Sequence, residues 1–309
     1  MALPFRRKAV STDTLPAPEQ LPKHIGFIMD GNGRWATKRG MPRKFGHREG
    51  AKTFHDLTRY CRSIGIQNIS FYVFSTENWK RPKEEVDAIM DLLWQYLNDC
   101  DEYLEQEVRM IFIGDKSRLP ERIQKRMLEL EADSAKYHKM NLLLAINYGG
   151  RDEIKHATQL IAEEVQAGKL QISDITEDTI SQHLYTKEVP DVDLLIRPSG
   201  ELRLSNFLIW QCAYAEYYFT NVLWPDFSRA ELNKALIEYA KRGRRLSYCF
   251  YIRPLFFRSV LQPFVRLQFL NCFGQRAVCG IGFLFMQHCS IPFLHRFCSF
   301  SIWNRLLKW

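Results

Sequence analysis

Five short apolar runs alternate with longer segments in which apolar residues recur every three or four positions. The runs are rich in Ile, Val, Leu and Phe and predict strands at 24–30, 68–74, 108–114, 141–147 and 192–198. The amphipathic segments predict helices near 50–64, 83–107, 118–139, 151–168 and 228–242. Continuous apolar strands separated by helices are typical of a parallel sheet that is covered on both faces. We therefore predict an α/β fold, an open mostly parallel sheet with helices on both faces.

The helix predicted after Pro82 has one apolar face, on which Val86, Ile89, Met90 and Leu93 recur at helical spacing. Periodicity alone leaves two interpretations of this face open. It packs into the core, or it forms the wall of a lipid-binding cavity.

The charge of the 309-residue chain is unevenly distributed. The formal net charge is +8, but residues 1–238 hold all 35 acidic residues and only 32 Lys and Arg, a balance of −3. The basic excess therefore belongs to the end of the chain and does not indicate a nucleic-acid partner for the main domain. Cys61, Cys100 and Cys212 lie apart without CxxC spacing, which favours buried reduced thiols in a cytosolic protein over a zinc site.

The two ends of the chain differ from its body. Residues 1–20 contain Pro, Ser, Thr and charges without an apolar core of seven, which predicts a flexible leader rather than a secretory signal. Residues 247–309 hold no Asp or Glu, yet contain eleven of the 21 Phe and five of the eight Cys. We interpret them as an irregular, poorly structured or artefactual extension; a membrane-surface anchor is the alternative. A transmembrane interpretation is weak because Gln287, His288 and Pro292 interrupt the longest uncharged span.

The stretch HIGFIMDGNGRWA, at 24–36, can be compared with three kinds of binding site. Its GxGxxA spacing suits a dinucleotide site, but Asp30 would repel a pyrophosphate, and the acidic residue expected about twenty positions later is absent. A calcium loop is excluded because Arg34 stands where a third oxygen ligand is needed. A carboxylate followed by a flexible turn and a basic run instead indicates magnesium beside phosphates; a solvated turn is the plainer alternative.

Two further polar clusters follow predicted strands. FSTENWKRP, at 74–82, follows the second strand, and RPSGELRLSNFLIWQCAYAEYYF, at 197–219, follows the last one; in the latter, Glu216 could complete a magnesium shell. Ligands of open parallel sheets bind outside the carboxyl ends of the strands, so the three clusters are expected to meet there. Basic groups, carboxylates and aromatic rings together suit a substrate with a charged head and an apolar body. The sequence contains no Ser-His-Asp, Walker or cysteine-nucleophile pattern that would indicate another chemistry. We therefore predict metal-assisted departure of a diphosphate.

These motifs, with RxFGHxxGA at 43–51 and DLLIRPSGELRLSNFLIWQCAYAEYYFTNVLWPDF at 193–227, closely resemble the cis-prenyltransferases, particularly bacterial isoprenyl transferases of the undecaprenyl diphosphate synthase type. The resemblance covers about residues 21–246, the predicted catalytic domain. It implies a homodimeric enzyme that adds isopentenyl diphosphate to an allylic diphosphate such as farnesyl diphosphate, with Mg²⁺ as cofactor. Peripheral membrane contact, through product or tail, is an additional possibility for a cytoplasmic protein of this type.

The resemblance also implies roles for individual residues. It makes Asp30 a catalytic residue and magnesium ligand, Asn78 the proton acceptor and Glu216 a second magnesium ligand placed across the dimer interface. Because a neutral amide is a poor base, we expect Asn78 to orient or relay the proton instead. The implied substrate-binding residues are Gly31, Asn32, Gly33, Arg34, Trp35, Arg43, His47, Ser75, Thr76, Glu77, Trp79, Arg81, Arg197, Arg203, Leu204 and Ser205.

Two other functions remain open at this point. One is a metal-dependent phosphatase built on the same sheet. The other is a non-catalytic partner subunit or membrane adaptor, although such a protein would be expected to lose Asp30, Asn78 or Arg203.

Overall fold

Six parallel strands form one sheet in the computed structural model, which describes residues 15–242. The strands are β1 His24–Ile28, β2 Asn68–Ser75, β3 Val108–Ile113, β4 Met140–Tyr148, β5 Leu194–Arg197 and β6 Glu216–Phe219. Their order across the sheet is β3-β4-β2-β1-β5-β6. The predicted α/β class and parallel sheet are confirmed. The predicted leader falls largely, and the predicted tail wholly, outside the described residues.

Eight α-helices connect or flank these strands within the described residues. They are α1 Asn32–Lys38, α2 Arg43–Ser63, α3 Lys83–Asp99, α4 Asp101–Glu105, α5 Glu121–Ser134, α6 Gly150–Gln166, α7 Glu177–His183 and α8 Arg229–Lys241. The flexible turn predicted after Asp30 is wrong, because that segment forms α1. The helix predicted at 83–107 is divided at Cys100 into α3 and α4.

The two faces of the sheet bury alternate strand residues. On one face Leu142 and Leu144 join a large core with the apolar sides of α2, α3, α5 and α8. On the other, Leu143 and Ala145 pack with Phe207 and neighbouring residues of the segment that follows β5. Because both faces are buried, the strands carry continuous rather than alternating apolar sequence.

The order of the strands determines where a ligand can bind. β1 lies between β2 and β5, and both pair with it in parallel register. Connections therefore leave the middle of the sheet in opposite directions, which opens a crevice at the carboxyl ends of these strands. Asp30 follows β1, the segment beginning at Thr76 follows β2, and Arg197 ends β5.

The predicted core cysteines are confirmed as buried free thiols: Cys61, Cys100 and Cys212. Burial raises the pKa of each to about 12, so they are protonated at neutral pH. Among residues 15–242, none of the helices combines the length and the apolarity needed to cross a bilayer.

Candidate active site

The Asp30 carboxylate lies between two guanidinium groups. Arg34 Nη2 donates to Oδ1 at 3.1 Å, and Arg197 Nη2 donates to Oδ2 at 3.0 Å. Burial by itself raises the pKa of Asp30, but hydrogen bonds from Arg197, Ser199 and Arg34 outweigh it and leave the pKa below its usual value. Asp30 is therefore an ionised carboxylate at neutral pH.

Arg197 is almost fully buried, with 4% of its side chain exposed. Its Nη1 donates to the Arg203 carbonyl and, at 2.8 Å, to the Ser205 hydroxyl. Its Nε is buried and has no hydrogen-bond partner in the protein. A buried cation with an unused donor is suited to an anionic ligand, because the ligand would supply the missing acceptor.

Two residues that sequence reasoning missed hold the surrounding arginines. Arg34 donates to the Ser199 carbonyl at 3.0 Å and to its hydroxyl at 2.6 Å. Glu201 accepts from Arg34 at 3.5 Å and also pairs with Arg203. The signal available in the sequence was their position, directly after the strand that ends at Arg197.

The second predicted cluster forms a 3₁₀ helix, Thr76–Lys80, directly after β2. The Asn78 amide oxygen accepts the Ser75 backbone N–H at 3.0 Å and so helps to cap this turn. This hydrogen bond fixes the orientation of the Asn78 amide group. This geometry favours an orienting role over proton abstraction.

Arg81, just before α3, and Arg43, the first residue of α2, approach the same region. Arg81 donates to Glu85 at 2.8 Å, and Arg43 lies 3.9 Å from the same carboxylate oxygen. The place of Glu85 between two arginines was missed by the analysis of the sequence alone. Burial, followed by the nearby charges of Arg81 and Arg43, lowers the pKa of His47, so its imidazole is neutral at pH 7.

These groups surround one end of a cavity of about 660 Å³. Predicted site residues that line it are Asp30, Asn32, His47, Ser75, Glu77, Asn78, Arg81, Arg197 and Ser205. The opposite part is apolar and includes Ile89, Leu92, Leu93 and Tyr96 of α3. The apolar face of α3 therefore serves both as core and as a cavity wall, so the two interpretations left open by its periodicity are compatible.

Several predicted substrate contacts lie outside this cavity. Trp79 donates to Asn147 at 2.7 Å, and Trp35 donates to Asp226 at 2.7 Å. Leu204 packs against the second core cluster. Gly33 lies under the Arg43 guanidinium, where an added Cβ would come within 2.8 Å of Cζ. The substrate contacts expected of these residues stay predictions. Gly31, Thr76, Arg34, Arg43 and Arg203 are likewise not among the residues that line the cavity.

Glu216 does not approach Asp30 within one chain. It begins β6 and is level with Leu194 and hence with Ile25, near the start of β1. The opposite end of β1, at Ile28, is about 10 Å further along, and Asp30 lies beyond it, roughly two strand spacings sideways. Glu216 instead accepts from Arg242 at 2.8 Å. The inference that all three polar clusters lie at the carboxyl ends is wrong for Glu216.

The donor set at Asp30 fits magnesium bound together with a diphosphate. Residues 15–242 contain no cluster of three His, Cys, Asp or Glu side chains that could hold an ion by itself. Magnesium commonly takes only one or two carboxylates and completes its shell with water and substrate phosphates. An ionised carboxylate at the mouth of an arginine-lined cavity supplies that kind of ligand.

Comparisons with known proteins agree with this geometry. A family model described as putative undecaprenyl diphosphate synthase matches residues 28–247. An isoprenyl transferase of Clostridium perfringens is 49% identical over 228 residues, covering 74% of this chain and 90% of that protein. A ditrans,polycis-undecaprenyl-diphosphate synthase of Micrococcus luteus, described as (2E,6E)-farnesyl-diphosphate specific, is 44% identical over 241 residues, covering 78% and 96%.

A solved structure shows the same fold. Lavandulyl diphosphate synthase from Lavandula x intermedia, in complex with dimethylallyl diphosphate, superposes with a TM-score of 0.71 at 39% sequence identity and covers 72% of this chain and 97% of that chain. The predicted resemblance to the cis-prenyltransferases is thus confirmed by sequence and by fold. The chain belongs to the undecaprenyl diphosphate synthase family and is a prenyltransferase.

Proposed function

We propose that this chain is a magnesium-dependent isoprenyl transferase. It condenses isopentenyl diphosphate units onto an allylic diphosphate with cis double bonds and produces a polyprenyl diphosphate, the precursor of a cell-wall lipid carrier. The observation that carries the proposal is one continuous cavity, with an ionised carboxylate and arginines at one end and apolar side chains along α3. Such a cavity suits a diphosphate attached to a hydrocarbon.

Departure of the allylic diphosphate places negative charge where cationic groups gather. Asp30 would hold magnesium, whose Lewis acidity neutralises charge on the phosphate oxygens. Arg34, Arg43 and Arg81 stabilise the same charge through forked N–H donors. Their carboxylate partners, Glu201 and Glu85, hold these arginines in place before the substrate arrives.

The second substrate is proposed to bind on the β5 side of the crevice. Arg197, Arg203 and Ser205 would hold isopentenyl diphosphate so that its double bond faces the allylic carbon. A carbon–carbon bond forms, the allylic carbon–oxygen bond breaks, and a proton leaves the newly added unit. Because the Asn78 oxygen already accepts from Ser75, we assign the proton to a diphosphate oxygen that Asn78 orients.

Two related proteins support the choice of primer. The Micrococcus luteus relative is described as specific for farnesyl diphosphate, and the lavender enzyme holds dimethylallyl diphosphate, also an allylic diphosphate. The apolar residues of α3 that line the cavity favour the primer with the longer hydrocarbon here. Ile89 and Leu93 offer aliphatic surface that a growing chain would cover.

A homodimer is proposed from the edge of the sheet. Among residues 15–242, β6 is an edge strand; Tyr214, two residues before it, is 96% exposed, and Leu202, in the loop between β5 and β6, is 75% exposed. An uncovered strand edge and exposed large apolar side chains both favour association with another chain. A second copy also offers the route by which Glu216 could reach an Asp30 site.

The free thiols support placement in the cytoplasm, with peripheral membrane contact through the lipid product.

Incubation of the full chain with Mg²⁺, farnesyl diphosphate and radiolabelled isopentenyl diphosphate tests the proposal. An isoprenyl transferase yields labelled products longer than farnesyl by successive five-carbon units. A phosphatase, the rival activity, would release inorganic phosphate and leave the lipid unlengthened. A non-catalytic subunit would bind ligand and produce neither result.

A further inference from the structure

Asn206 joins three segments of the site through its own backbone and side chain. Its carbonyl accepts the Gly150 N–H at 2.7 Å, and its Oδ1 accepts the Arg151 N–H at 2.9 Å. Its Nδ2 donates to Glu77 Oε1 at 3.1 Å. Asn206 therefore ties the segment after β5 to the start of α6 and to the turn after β2.

The backbone of Asn206 is held in a conformation that makes these contacts possible. Its φ is +65° and that of Ser205 is +49°, both in the left-handed region that non-glycine residues adopt rarely. This reversal lets Asn206 face α6 with two acceptors, while Phe207 turns into the core. The first N–H groups of a helix need such acceptors, and here two of them come from one distant residue.

Charge makes the bond to Glu77 stronger than an ordinary amide contact. Burial raises the pKa of Glu77, but hydrogen bonds from its own backbone, Ser75, Asn206 and Thr76 lower it overall, so the carboxylate is ionised. Hydrogen bonds to a charged acceptor are about twice as strong as neutral ones.

Gly149 allows the three segments to approach each other. A Cβ at this position would lie 2.6 Å from Asn206 Nδ2 and 2.9 Å from Thr76 Oγ1. Gly149 has φ of −158°, which any residue adopts, so the constraint is purely steric. A methyl group here would separate Asn206 from Thr76 without removing any polar atom.

We propose that Asn206 is a positioning residue for isopentenyl diphosphate, an inference that rests on the proposed function. It fixes the adjoining Ser205, whose hydroxyl accepts from Arg197, and the loop that carries Arg203. It also holds this loop against Glu77 across the crevice. Loss of Asn206 therefore acts through Ser205 and Arg203. It weakens the binding of isopentenyl diphosphate more than the binding of the allylic diphosphate.

Two variants of the full chain test the inference by different routes. N206G removes both side-chain bonds but tolerates the left-handed backbone, and G149A displaces Asn206 while keeping every polar group. Each is expected to raise KM for isopentenyl diphosphate about tenfold, because roughly two hydrogen bonds are lost. KM for farnesyl diphosphate should change by less than about twofold. N233A is the matched control. Asn233 lies on the distant helix α8, and the substitution removes one partly buried hydrogen bond, which the Tyr60 hydroxyl donates to the Asn233 amide oxygen.

A purely structural role for Asn206 would lower the melting temperature of N206G and leave both KM values unchanged, and that result would overturn the inference. An equal rise in both KM values would also overturn it. The proposed function is tested separately by the unaltered chain. If the unaltered chain does not elongate farnesyl diphosphate, the function fails; if it does and N206G retains a normal KM for isopentenyl diphosphate, only the positioning role fails.

Discussion

Each carboxylate oxygen of Asp30 accepts a hydrogen bond from a different arginine, and one of these arginines, Arg197, is buried. The carboxylate thus neutralises a buried cation and remains ionised. Asp30 therefore stabilises the buried Arg197 cation in addition to its proposed role as a magnesium ligand. A substitution at this position must be chosen so that the two can be separated.

D30N is expected to reduce turnover by about 10³-fold, since a neutral amide holds magnesium poorly and stabilises the transition state less. The amide oxygen still accepts one arginine bond, so the circular dichroism spectrum should match that of the unaltered protein. D56N is the matched control, because Asp56 pairs with Arg229 on the surface and lies outside the cavity. Near-normal prenyl transfer by D30N would refute the role assigned to Asp30.

His24 makes stability depend on pH. Its ring is fully buried, with Nδ1 2.7 Å from the Pro190 carbonyl and Nε2 2.7 Å from the Ser70 hydroxyl. Burial lowers its pKa from 6.5 to about 4. Between these values the unfolded chain binds more protons than the native one, so stability falls as pH falls, by about 3 kcal/mol at full extent.

Urea unfolding measured from pH 7 to pH 4 tests this dependence. H24Q should show a shallower loss of stability over this range than the unaltered protein. H138Q, which changes an exposed histidine, should follow the unaltered curve. Parallel curves for all three proteins would contradict the assignment to His24.

At the scale of elements, α1 and α2 are packed so closely that a glycine is required. A Cβ on Gly46 of α2 would lie 1.9 Å from the backbone carbonyl oxygen of Asn32, the first residue of α1. No rotamer relieves a clash with backbone. The two helices therefore hold the segment that carries Arg34 at a fixed distance from Asp30.

G46A is expected to destabilise the protein by more than about 1 kcal/mol, although Gly→Ala within an exposed helix normally stabilises by about that amount. It should also reduce turnover, because α1 must shift away from α2. K52A, on the exposed side of the same helix, should leave stability within about 0.5 kcal/mol. Chemical denaturation and turnover of both variants provide the measurement, and a stabilised, active G46A would contradict the packing argument.

The helices and strands that could be predicted are those with a strong local pattern of apolar and polar residues. Five strands were predictable because each is an apolar run bounded by polar residues. β6 was missed since EYYF has four half-buried residues and begins with a glutamate. The short helix α1 was missed because glycines on both sides suggest a turn, whereas its stability comes from contact with α2.

The site residues that were predictable directly follow strand ends, where the fold class alone places ligands. The ion pairs of Glu85 with Arg43 and of Glu201 with Arg34 were not predictable, because each joins residues that are far apart in the sequence. Glu216 was misplaced for the same reason. The sequence shows that it belongs to a motif, but only strand register shows at which end of the sheet it lies.

At the scale of the whole molecule, the separation of Glu216 from Asp30 predicts complementation between chains. D30N and E216Q should each be inactive as homodimers. Mixed after unfolding and refolding together, they should form heterodimers with one intact site and recover up to about a quarter of the original activity. No recovery, with heterodimers verified by native mass spectrometry, would contradict a site shared between two copies.

The proposed function depends most on the crevice at Asp30 being the place where diphosphates bind. A crystal structure of the full chain with Mg²⁺, isopentenyl diphosphate and a non-cleavable thio analogue of farnesyl diphosphate tests this directly. We predict a metal ion on Asp30, diphosphates against Arg34 and Arg197, and the hydrocarbon along α3. An empty crevice with both diphosphates bound elsewhere would contradict the proposed function.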